Sequence, residues 1–196
     1  MAVPATEIAP SKHRTAGDYL TLAVATCGVG YFPIAPGTLG SLVGVVLYVV
    51  VFAFGHHILF ARVEHNAVMQ RLVWTTEATL VLVVIFLVTM IGIWAASRAE
   101  QLLRRKDPSI VVIDEVAGQM IALLSGPLWL HRWWSVLTAF LLFRLFDIWK
   151  PYPIRRLEGL ESGLGIMADD IVAGAFALIV NSVLISGYLL ISSTGQ

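Results

Sequence analysis

Charge is what this chain has least of. Charged side chains make up 13% of its 196 residues, about half the share found in ordinary soluble domains. The formal net charge is zero, which excludes the broad basic field of a nucleic-acid binder, so no nucleic-acid partner is expected. Cysteine occurs once, as Cys27, which excludes an intrachain disulfide and a multi-cysteine metal site. No Arg follows Cys27 at the spacing of a cysteine-phosphatase loop, and its apolar, Gly-rich surroundings read as packing. The opening "MAVPATEIAPSKHRTAG", residues 1–17, holds no apolar core ahead of a cleavage site. It therefore reads as a disordered tail and not as a signal peptide.

What remains is hydrocarbon. Hydrophobic residues make up 58% of the chain and the mean hydropathy is +0.81. A spanning helix needs about 20 mostly apolar residues. Residues 78–97 and 171–193 meet that length, 41–55 can extend through "HHILF", and 116–130 and 133–149 form a pair broken at "HRWW". The fold class expected is an all-α polytopic membrane helix bundle over residues 18–193, with about five spanning helices. The shorter "DYLTLAVATCGVGYFP" reads as an additional N-terminal helix packed beneath the bundle. With the N-terminus cytosolic, ten Lys and Arg fall on inner segments and only Arg62, Arg71 and Arg132 on outer ones, as the positive-inside rule requires. An outer loop over roughly 56–76 would carry His56, His57 and His65; their irregular spacing favours a solvated role over a metal site.

The acids are then concentrated at the cytosolic side. Span three begins "VVIDEVAG", span four ends "FRLFDIWKPYPIRR", and span five begins "ADDIVAG". Acids at a helix N-terminus can simply cap amides and complement the dipole. That explanation fails for Asp147, near a helix C-terminus, and for the convergence of acids from three helices. "DEVAG" at 114–118 and "DIVAG" at 170–174 both place Asp four residues before Gly, on the same helix face. The glycine lets a neighbouring helix approach closely, so Asp114 and Asp170 can face each other. Clustered carboxylates without matching cations need a metal, and hard oxygen ligands suit Mg²⁺. Arg144, Asp147 and Lys150 stand at i, i+3 and i+6, with Pro151 ending the helix. Such cations can grip a phosphate. A second anion site is offered by "APGTLGS", 35–41, whose turn opens a helix N-terminus.

Four motifs in this order, "APGTLGS", "VVIDEVAGQMIAL", "FRLFDIWKPYPI" and "GLGIMADDIVAG", resemble the phosphatidylglycerophosphatase A family, from about Gly28 to Gly174. The resemblance implies a Mg²⁺-dependent, multi-pass lipid phosphatase of the bacterial inner membrane. Its phospholipid substrate would be phosphatidylglycerophosphate, cleaved to phosphatidylglycerol and inorganic phosphate. On the matched positions the expected metal ligands are Asp114, Asp147 and Asp170, and Glu115 or Asp169 would deprotonate water. Gly37, Thr38, Arg144 and Lys150 would hold the phosphate on the cytosolic face. An aspartyl-phosphate route through Asp169 or Asp170 is the mechanistic rival. An ion-coupled transporter is the rival class, because intramembrane acids mark ion paths; here, however, the acids gather at helix ends and not at the midplane. Short spans three and four leave room for a partner helix from a second copy.

Overall fold

The computed structural model describes residues 14–60, 67–125, 133–157, 159–160 and 162–194, the side chains of 59–60 and 67–70 apart. Arg62, His65, residues 126–130 at the end of the expected third span, His131, Arg132 and most of the expected tail lie outside the described residues. Among the described residues every regular element is a helix: α1 Ala16–Thr26, α2 Pro36–Phe60, α3 Ala67–Leu103, α4 Ile113–Ala122, α5 Trp133–Trp149, α6 Ile154–Leu157 and α7 Ser162–Thr194.

The helix ends follow local chemistry. Thr15 and Asp18 form a reciprocal capping box that starts α1 at Ala16, inside the stretch expected as tail, and Cys27 ends it in the left-handed region at φ 47°. Pro36 occupies the first position of α2, where its missing N–H costs nothing. Arg104, at φ 51°, follows the last residue of α3, and Lys150, at φ 47°, follows the last residue of α5. Pro151 then prevents continuation, and the Tyr152–Pro153 bond is cis.

Among the described residues three helices are long and apolar enough to cross a membrane: Pro36–Ile58, Arg71–Leu103 and Ser162–Thr194. Two of the five expected spans are shorter. At 10 residues α4 is about 15 Å long, half the thickness of a hydrocarbon core. Its apolar sequence is explained by burial in protein. Val112, Ala117, Gln119, Met120 and Ala122 are fully inaccessible, and α4 touches α1, α2, α3, α5 and α7. The outer loop expected over 56–76 is also reduced, since α2 continues to Phe60 and α3 begins at Ala67. His56 lies within α2 and meets the buried Glu77 of α3 at 2.9 Å.

Small residues let α4 sit this deep. A Cβ on Gly40 would stand 2.8 Å from the Cβ of Val112, and one on Gly44 would stand 2.8 Å from the carbonyl oxygen of Val116. The two glycines, four residues apart, make a groove on α2 for α4. At the base, α1 is tied in by Asp18 to Arg98 at 3.1 Å and by the Val112 N–H to the Ala25 carbonyl at 2.9 Å. Deep in α7, the buried Asn181 donates to Ser125 Oγ at 3.0 Å and accepts from Thr138 Oγ1 at 2.7 Å. This polar link fastens α5 and the end of the α4 turn to α7.

Candidate active site

The site is built on one helix crossing. A Cβ on Gly174 of α7 would lie 2.3 Å from the carbonyl oxygen of Gly118 on α4, and a Cβ on Gly118 would lie 2.6 Å from the carbonyl oxygen of Asp170. Both neighbours are backbone atoms, so only glycine fits at this separation. One turn before the crossing on each helix stand Asp114 and Asp170, together with Glu115. Oxygens of these three carboxylates lie within 4.8 Å of one another, and Asp114 and Asp170 are both buried.

Asp169 and Asp170 do not cap their helix. α7 begins at Ser162, two turns earlier than the start expected at "ADDIVAG". Gly163 and Gly165 are helical and pack where a side chain cannot. A Cβ on Gly163 would meet the Ile93 carbonyl at 2.3 Å, and the Gly163 N–H donates to Ser97 Oγ at 3.0 Å. The dipole-and-cap explanation therefore does not apply to these two aspartates.

The cations of α5 are engaged with acids. Arg144 Nη1 meets Asp147 Oδ2 at 2.7 Å, and Lys150 Nζ meets Asp169 Oδ2 at 2.7 Å. The left-handed turn at Lys150 takes it out of the expected Arg144–Asp147–Lys150 stripe and swings it to Asp169. Asp147 also lies near the Asp170 carboxyl, and Glu115 near that of Asp114. Five carboxylates thus surround two cations in one cluster, with Asp114, Asp169 and Asp170 buried and the other groups half-buried. Oxygens of Asp114 and Glu115 and Arg144 Nε are buried with no partner among the described residues. An orphaned carboxylate oxygen in such surroundings is costly, and an all-oxygen set suits a hard divalent cation. The residues present could therefore hold a hard divalent cation.

Gly37 and Ser41 complete the wall. A Cβ on Gly37 would meet Glu115 Oε1 at 2.2 Å and Arg144 Nη1 at 3.2 Å. The first turn of α2 is thus packed directly against the cluster. Thr38 lies in the same turn, but its N–H and that of Leu39 point back to the Ala35 carbonyl at 3.0 and 3.3 Å. Those amides are already used. Ser41, buried, donates to the Gly37 carbonyl at 2.9 Å and accepts from Arg144 Nη1 at 3.4 Å. In the sequence Ser41 stands out only as the last residue of the "APGTLGS" turn; its i+4 spacing from Gly37 is the available signal. Gln119 was missed as well. It is fully buried, with neither amide atom partnered among the described residues, one turn beyond Glu115 on α4. Cys27 stays outside the chemistry: burial, with a smaller contribution from Glu115, pushes its thiol up to about 11.

Comparison with known proteins bears on this arrangement. The family model described as phosphatidylglycerophosphatase A matches residues 22–185. A Bacteroides thetaiotaomicron protein, named provisionally as a phosphatidylinositol-3-phosphatase, is 40% identical over 80% of this chain and 87% of its own length. The phosphatidylglycerophosphatase A of Escherichia coli is 31% identical over 87% of this chain and 86% of its own. That of Haemophilus influenzae is 33% identical over 89% and 94%. No solved structure matches.

Proposed function

This chain belongs to the phosphatidylglycerophosphatase A family, and from that premise we propose a Mg²⁺-assisted hydrolysis at the buried acid cluster. The protein is a membrane phosphatase that converts phosphatidylglycerophosphate to phosphatidylglycerol and inorganic phosphate. The observation that carries this reading is the family match over residues 22–185, which takes in all five acids and both cations of the cluster. The relative named for phosphatidylinositol 3-phosphate shares the chemistry, a phosphomonoester on a phospholipid headgroup, and differs in the alcohol.

Asp114, Glu115 and Asp170 would hold Mg²⁺, with Asp147 within reach as a further ligand. When bound, the ion supplies positive charge against the phosphoryl oxygens and keeps waters for exchange with substrate. Arg144, held by Asp147 and Ser41, would bind the phosphate, and Gly37, having no side chain, lets the first turn of α2 pack against Arg144 and Glu115. Asp169 is the base: it takes the proton of the attacking water, which ends on the leaving glycerol oxygen as the ester P–O bond breaks. Lys150 holds Asp169 in place and offsets its charge. The excess of Lys and Arg on one set of loops supports placing this cluster at the cytosolic face of a bacterial inner membrane, with the N-terminus on the same side.

The test is phosphate release by purified protein from phosphatidylglycerophosphate, with Mg²⁺ and with chelator, and in parallel from phosphatidylinositol 3-phosphate. Release should require the metal and favour the first lipid. Asp114→Asn and Asp170→Asn should each lower it by at least about 100-fold with the bundle intact. Near-normal release from both folded variants would overturn the site.

A further inference from the structure

A second charged cavity lies beside the acid cluster, and none of the chemistry above uses it. Where α3 ends, an open basin of about 500 Å³ is lined by Glu100, Gln101, Arg104, Arg105, Lys106 and Ser162. Three consecutive cations therefore face one acid. That acid is partly occupied: Glu100 Oε1 accepts the N–H of Asp107 at 2.9 Å, and the Glu100 carbonyl accepts the N–H of Arg105 at 3.3 Å. Both bonds fold the segment back on the last turn of α3. The left-handed residues Arg104 and Asp107 make the fold-back tight. Arg104, Arg105 and Lys106 are exposed, and among the described residues none of the three forms an ion pair.

The basin is also connected. A narrow crevice of about 20 Å³ shares Glu100, Lys106 and Ser162 with it and runs past Asp107 to Asp169. That volume admits about one water. A neighbouring hollow of about 320 Å³ shares Gln101 and Arg104 with the basin and adds Arg14, Arg98 and the Asp18 that pairs with Arg98. Cationic side chains therefore line all three hollows, around the ends of two helices long and apolar enough to cross a membrane. Basic pockets between spans on the cytosolic side take phosphate headgroups, and Arg offers them paired donors.

We propose that this basin is a second phosphate-binding site. It takes the phosphate group of an anionic phospholipid headgroup or of free inorganic phosphate, and holds it next to the reaction centre. Its bearing on turnover rests on the phosphatase reading, whereas the binding stands on charge and shape alone.

The experiment uses the full chain in nanodiscs under chelator, so that the acid cluster carries no cation to attract phosphate. One arm titrates inorganic phosphate into zwitterionic nanodiscs. The other counts phosphatidylglycerol retained from mixed nanodiscs by native mass spectrometry. R104Q/R105Q/K106Q should bind at least about ten-fold more weakly than the wild type in one arm or both, because charge-assisted bonds are lost. R105Q/K106Q, which keeps the residue at the end of α3, should show part of the loss. A difference in the first arm identifies the free anion, and one confined to the second identifies the headgroup. Equal binding by wild type and both variants in both arms would overturn the second site, whatever the wild-type turnover. Absent turnover with a clear binding difference would instead count against the phosphatase reading alone.

Discussion

Replacing Gly174 by alanine tests the geometry of the site with a single methyl group. The added Cβ would lie 2.3 Å from the carbonyl oxygen of Gly118 and 3.0 Å from its carbonyl carbon. Ordinary contact begins near 3.4 Å, and the obstacle is main chain that cannot rotate away. Relief requires α4 and α7 to part by about 1 Å, with a packing cost of about 1–3 kcal/mol. Asp114 and Asp170 sit one turn from that point on the two helices, so their carboxylates part by a similar amount. A misplacement of about 1 Å in a reacting constellation lowers rate by about 100-fold. Phosphate release from phosphatidylglycerophosphate in detergent, with saturating Mg²⁺, is the assay. Gly187→Ala is the control, since its Cβ would meet nothing within 4 Å in the same helix; it should behave as wild type. A folded Gly174→Ala protein with release within about two-fold of Gly187→Ala would refute the claim that this crossing sets the spacing of the acids.

Other perturbations separate the roles of neighbouring groups. Lys150→Met strands Asp169, whose Oδ2 it holds at 2.7 Å, and should lower kcat by about 10- to 100-fold with little change in KM; an unchanged kcat would exclude Asp169 as a Lys-held base. Asn181→Leu removes the link to Ser125 and Thr138 and should reduce stability by about 1–2 kcal/mol, read as earlier thermal unfolding in detergent, with the specific activity of folded protein retained. Cys27, with its thiol pushed up to about 11, should be about 0.1% thiolate at pH 8 and alkylate slowly. Its rate should climb as pH rises toward that value, and a full rate at pH 8 would contradict the burial.

How much of this was legible in the sequence depended on whether the cause was local. Asp114 and Asp170 meet as their shared Asp-to-Gly spacing suggests, because helical periodicity is written in adjacent residues. The Arg144–Asp147 pair is likewise an i, i+3 relation. The start of α7 was not legible: Gly163 and Gly165 carry a loop signature, and what makes them helical is the backbone of Ile93 and Leu160, distant in sequence or across a turn. Lys150 was expected on the α5 stripe because nothing in its side chain announces a left-handed backbone. α4 read as a longer span for a related reason. Apolar residues look the same whether lipid or protein covers them, and the groove of Gly40 and Gly44 that decides the matter lies on another helix. Gln119, an amide inside an otherwise apolar motif, was visible as a polar residue but not as a fully enclosed one.

The crossing of α4 and α7 also acts as a pivot. Bilayers of different thickness are accommodated by small changes in helix tilt. Rotation of α7 by about 5° around Gly174 would move its far end, about 30 Å away, by about 2.6 Å. Asp170, about 6 Å from the pivot, would move by about 0.5 Å. Asp114 keeps the same short lever on the other helix. Because the fulcrum is main chain against main chain, it has no rotamers through which to yield. The spacing of the acids is thereby insulated from the mechanics of the membrane around them, even as the outer ends of the spans follow the lipid.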